Sequence, residues 1–84
     1  IRKHLNNGKY ITTCLSLLGS IKSEESVNLL AEYAFHPCER YRYLVARSLK
    51  QINTPQAHNY LIKMADDSSF LVKTLIRKFK EEQQ

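Results

Sequence analysis

The sequence predicts an all-α protein, a right-handed α–α superhelix of about two and a half helix–turn–helix units. Three observations carry that prediction. The first is internal repetition. Cys14, Leu18, Ile21, Leu30 and Ala34 return thirty-one residues later as Val45, Leu49, Ile52, Leu61 and Ala65. A third pass opens twenty-seven residues on, where Tyr43, Leu44, Val45, Leu49 and Ile52 return as Phe70, Leu71, Val72, Ile76 and Phe79. A short period of this kind marks units that complete a core only by stacking on a neighbour. The second observation is spacing: apolar residues recur at three- and four-residue steps, which places them on one face of a helix. The third is punctuation. Two glycines and two prolines in 84 residues leave little material for β-turns, whereas Leu, Lys, Ala, Glu and Gln support helix.

Each element follows from its own residues. Ile1 to Leu5 has the pattern of a last helical turn, with Asn6, Asn7 and Gly8 as a left-handed exit, so 1–8 is the end of a preceding helix. The first unit, 9–36, opens with a helix from about Lys9 to Ser20 carrying Ile11, Cys14, Leu15, Leu18 and Ile21 on one stripe. Ser23, Glu24, Glu25 and Ser26 then start a second helix, with a side-chain oxygen to cap and acids where they complement the dipole. Its apolar stripe is Val27, Leu30, Ala31 and Ala34. His36-Pro37-Cys38-Glu39 is a break, because proline excludes the preceding residue from the helical region.

The second unit, 40–65, repeats the design. A helix from about Arg40 to Gln51 turns Leu44, Val45, Ser48, Leu49 and Ile52 inward, and Asn53-Thr54-Pro55 supplies a cap followed by proline at a position where its missing N–H costs nothing. The next helix, Gln56 to Ala65, sets Tyr60, Leu61 and Met64 near one face. Asp66 to Ser69 leads into a half unit, 69–80, whose apolar positions are Leu71, Val72, Leu75, Ile76 and Phe79. The tail, 81–84, has no apolar anchor and is expected to fray. The link between the units is four residues longer than the link to the half unit, and the insertion falls at about His36 to Arg42.

Composition narrows the function. The formal charge of +5 is unevenly spread: no acid interrupts Arg40 to Met64 or Phe70 to Lys80. Segregated charge sets up a field over one face, which concerns partners rather than fold. No apolar run approaches the ~20 residues that cross a bilayer, and no signal-peptide pattern is expected within this stretch, whatever targeting segment the parent protein carries. Cys14 and Cys38 form no metal-binding or CxxC pattern, and two reduced thiols suit an intracellular, cytoplasmic protein. Cys14 stands where Val45 recurs, as a small core hydrophobe. His4, His36 and His58 lie in three separate segments without a second ligand one turn away, so no metal or cofactor is expected. The chain opens on Ile rather than Met, as an excised piece of a longer protein would.

The phrase Leu17-Leu18-Gly19-Ser20-Ile21, a polar turn, then Ser26-Val27-x-x-Leu30 resembles the short bacterial HEAT-like repeat of the phycobilin-lyase type. Ser48-Leu49-Lys50-Gln51-Ile52-Asn53-Thr54-Pro55-Gln56-Ala57 resembles it too, and Asp67, Val72 and Lys73 match the acid and Val-Arg that open the family's next helix, with lysine for arginine. The likeness covers about Ile11 to Phe79. It departs at the middle unit, where Arg40 and Ala46 stand in place of the family's acid and arginine, and at His58, which stands where Val27 does. The resemblance implies that Lys9–Ser20, Arg40–Gln51 and Phe70–Lys80 form the concave layer of a solenoid, and that the protein is a non-enzymatic interaction scaffold.

On that layout Lys50 and Arg77 share a repeat position, as do Ala46 and Lys73, and Gln51 and Lys78. Positive charge therefore grows toward the C-terminal units. The candidate partner-binding residues are Arg40, Tyr41, Arg42, Arg47, Lys50, Lys73, Arg77 and Lys78. Arginine and aromatic residues anchor interfaces, although exposed helix positions favour Lys and Arg in any case. A protein partner is the first expectation, nucleic acid held by the basic rows the second, and an accessory role beside an enzyme the third. The first helix pair lacks a polar outer side, so an apolar end face is expected, open to self-association.

Overall fold

The structure, a computed structural model, describes residues 8–82, with side chains from Tyr10. The described residues form five helices and no strand: α1 (Gly8–Leu18), α2 (Glu24–Ala31), α3 (Glu39–Ile52), α4 (Pro55–Lys63) and α5 (Phe70–Glu82). The left-handed exit expected of Asn6, Asn7 and Gly8 is not formed by Gly8, which is the first residue of α1 and has no positive φ. The preceding turn, Ile1 to Leu5, lies outside the described residues.

The helix starts follow the capping residues. Ser23 and Thr54 are extended, and their hydroxyls accept the N–H of Ser26 and of Ala57, each at 3.2 Å. Pro55 fills the first position of α4, where the missing N–H is no loss. α3 ends at Asn53, the left-handed residue among those described (φ 57°, ψ 48°), whose N–H closes on Leu49 O at 3.1 Å. Asparagine tolerates this conformation because its short polar side chain bonds locally. Here Asn53 Oδ1 meets His58 Nε2 at 2.7 Å.

The helices stack in two rows. α1, α3 and α5 lie side by side, α2 and α4 form the second row, and α3 touches each of the other four. The Cα envelope of 38 × 26 × 15 Å is two helices thick along its short axis, as helix axes about 8–10 Å apart require. Between the rows Leu15, Leu30, Leu49, Ile52, Leu61, Met64 and Ile76 are fully buried. This is the expected repeat: each hairpin lays its apolar stripe on the next, and α3 supplies the shared wall. Gln56 Nε2 joins the outer row by donating to Asn28 Oδ1 at 3.2 Å.

The two ends of the inner row differ. Val45, Ser48 and Ile52 of α3 are buried, but their counterparts are half-buried Cys14 and exposed Leu17 on α1 and exposed Ile21 in the turn after it. Cys14 is thus not the core residue its match to Val45 suggests, because α1 covers Val45 and none of the described helices covers Cys14. At the other end, buried Ala46 is replaced on α5 by exposed Lys73. The apolar end face expected of the first pair is the α1 side; α5 presents charge.

Candidate partner-binding surface

Two of the expected binding residues are engaged inside the fold, and they organise the inserted loop. Arg42 makes a forked contact with Asp67, Nε to Oδ2 at 2.8 Å and Nη2 to Oδ1 at 3.2 Å. Its Nη1 donates to the carbonyls of His36 at 2.8 Å and Pro37 at 2.9 Å. Both partners of the ion pair are largely shielded, with side chains 14% and 6% exposed, and the planar guanidinium suits this two-way geometry where a lysine would not. Asp67 Oδ1 also accepts the Ser69 N–H at 2.8 Å, while Ser69 Oγ donates to Glu39 and accepts the Val72 N–H. The loop before α3 and the turn before α5 are therefore one polar network. Capping alone, which the position of Asp67 suggests, accounts for only part of its work. Tyr41 closes the same loop, its ring edge-on to Tyr33 and 4.9 Å from His36, centroid to centroid.

That network fixes where α3 and α5 lie relative to each other, and a groove of ≈ 290 Å³ opens between them on the side away from the second row. Tyr43, Phe70, Leu71 and Leu75 form its apolar walls, Thr74 lies on its floor, and Lys50 and Lys78 line it as cations. Phe70 is 73% exposed and Leu71 53%. Lys50 Nζ holds Glu82 Oε1 at 3.2 Å across the end of the two helices. This pair is open to solvent and adds little stability. α5 continues through Glu82, two residues past the 69–80 expected for the half unit.

Of the remaining candidates, Arg40, Arg47, Lys73 and Arg77 are exposed. Lys50 and Lys78 meet in the groove, whereas Lys73 and Arg77 do not line it, so the basic rows divide over two sides of α5. Phe70 and Leu71 are not among the expected binding residues, and Leu71, expected on the apolar stripe of the half unit with Val72 and Ile76, is turned out to solvent instead. A signal for them exists: on a helix Leu71 shares a face with Thr74 and Lys78, one and two turns on, and not with Val72 or Ile76. No cluster of three metal-binding side chains occurs among the described residues, and no described helix is long and apolar enough to cross a membrane.

A two-row array of helix pairs, with polar chemistry spent on turns and side chains displayed between inner helices, defines an α-helical repeat protein. The comparison with known families agrees. A model of HEAT repeats matches residues 7–78, and the chain belongs to that family, whose repeats generally mediate protein interactions. No curated protein and no solved structure matches the chain.

Proposed function

We propose that this chain is a non-enzymatic scaffold that holds a protein partner on the inner row of helices, through the α3–α5 groove and the cations around it. One observation carries this reading: large apolar side chains, Phe70 and Leu71, stand in solvent beside Lys50 and Lys78. Exposed apolar surface rimmed by charge is what protein interfaces use. Arg40 and Arg47 extend the basic field on α3, and Lys73 and Arg77 on α5. The stacked helices hold these groups in place beforehand, so little ordering entropy is lost when a partner docks.

A photo-crosslinking residue placed at Arg47 or Lys78, against controls at Glu32 and Asn59 on the second row, tests the reading in cells. Protein adducts from the inner positions and none from the outer ones are expected. Adducts from the outer positions alone would end the proposal. The competing reading is nucleic-acid binding through the acid-free run Lys73, Arg77, Lys78 and Lys80 of α5. Phosphate-driven affinity falls steeply with salt. Nuclease-sensitive adducts, with binding to a short duplex that is strong at low salt and lost on Lys73→Glu with Arg77→Glu, would replace the protein reading.

A further inference from the structure

We infer that the α3–α5 groove takes an acidic protein segment with one large apolar anchor, its carboxylates set about 10 Å from that anchor. The inference rests on the scaffold reading and specifies its ligand. The groove is polarised along its length. Tyr43, Phe70 and Leu71 lie toward the first turns of α3 and α5, and Lys50 and Lys78 seven or eight residues further along. At 1.5 Å per residue that offset is about 10 Å. An occupant must therefore offer an apolar side chain at one end and negative charge at the other. The spacing corresponds to about seven residues if the segment is helical and about three if it is extended.

Charge complementarity is the argument for an acid, and the chain supplies its own example. Glu82 reaches back from the end of α5 and seats its carboxylate on Lys50. The groove's cation thus already donates to a carboxylate, that of a residue outside the apolar part of the groove. Glu82 is a resident competitor: an incoming acid must displace it or share Lys50 with it. A nucleic-acid duplex would use Lys50 and Lys78 but would leave Phe70 and Leu71 uncovered, because its bases are already stacked on one another. The apolar and the cationic ends together favour a peptide.

The test is selection from a displayed library of random peptides about twelve residues long, enough to span the groove in either conformation, on the 84-residue chain. Clones that also bind Phe70→Ala with Lys78→Glu are discarded. The expected winners carry a large apolar residue with Asp or Glu seven positions away if helical, or two or four positions away if extended, the spacings that keep both side chains on one face. Titrated as free peptides, they should lose roughly tenfold in affinity on Phe70→Ala, as an anchor residue does, and a similar amount on Lys50→Glu. Glu82→Gln should strengthen binding by a few-fold, most at low salt, where exposed charges are least screened. Helical circular dichroism of each variant separates lost binding from lost fold. Winners without acids, winners indifferent to both substitutions, or no enrichment at all would overturn the inference. Inner-row protein crosslinks that persist despite such a result would leave the scaffold standing and place its ligand elsewhere on that row. Absence of those crosslinks would remove the scaffold reading itself.

Discussion

Ser48 sits at the contact on which the stacking of α1 on α3 depends. Gly19, at the end of α1, bonds Ser16 O at 3.2 Å instead of continuing the helix, and the Leu15 carbonyl accepts the Ser48 hydroxyl at 2.6 Å across the interface. The pair is buried, so Ser48→Ala leaves a carbonyl without that partner. The expected loss is about 1–3 kcal/mol, read as a lower urea midpoint. Gly19 permits the same approach: a Cβ there would meet Ser48 Oγ at 2.9 Å and Ser48 Cβ at 3.0 Å. Gln51 Oε1, also at 2.9 Å, can swing away, but a backbone-anchored Cβ cannot. Gly19→Ala should therefore cost about 1–3 kcal/mol through overpacking. If Gly19→Ala is neutral, α1 and α3 are further apart than described. The double variant with Ser48→Gly should recover part of the loss from Gly19→Ala, because it removes the atoms in the way.

At the scale of the element, the helices of the second row depend on their caps more than on their length. α2 has 8 residues and α4 has 9, too short to hold together in water unaided. Each begins on a hydroxyl that satisfies an orphan N–H, Ser23 and Thr54. Ser23→Ala and Thr54→Ala should each cost about 1 kcal/mol, a fall in melting temperature of about 4–8 °C for a domain of this size. Gly at either position should cost less, since it is itself tolerated at the cap. Equal losses for Ala and Gly would point to packing rather than capping. These starts were legible in the sequence, because a cap is a local arrangement of four consecutive residues. The polar network of Arg42, Asp67, Ser69 and Glu39 was not. It joins residues about twenty-five to thirty positions apart, and no local rule pairs them.

For the whole molecule, α3 is the element that both rows share. In repeat arrays stability is close to a sum of units and interfaces, and here most interfaces include α3. Leu49, fully buried in it, should cost about 2–5 kcal/mol on truncation to Ala. Amide exchange should show α3 as the most protected helix and show α1 and α5 losing protection together in the Leu49→Ala protein. A loss confined to α3 and α4 would mean that the units are independent.

The sequence by itself determined the architecture. Its period, its three- and four-residue apolar spacing and its caps are local or repeating signals, and hydrophobic burial turns them into stacked hairpins whatever the detailed contacts. It also marked the cations, since charge is a property of composition. Only the tertiary structure decided what each of them, and the tyrosine beside them, faces. Arg42 and Tyr41 are drawn into the inserted loop, Lys73 and Arg77 stand away from the groove, and Lys50 and Lys78 meet beside Phe70 and Leu71. The reason is geometric: a repeat assigns each residue a position on its helix, but the angle and offset between neighbouring helices decide whether that position faces water, a cavity or another chain segment.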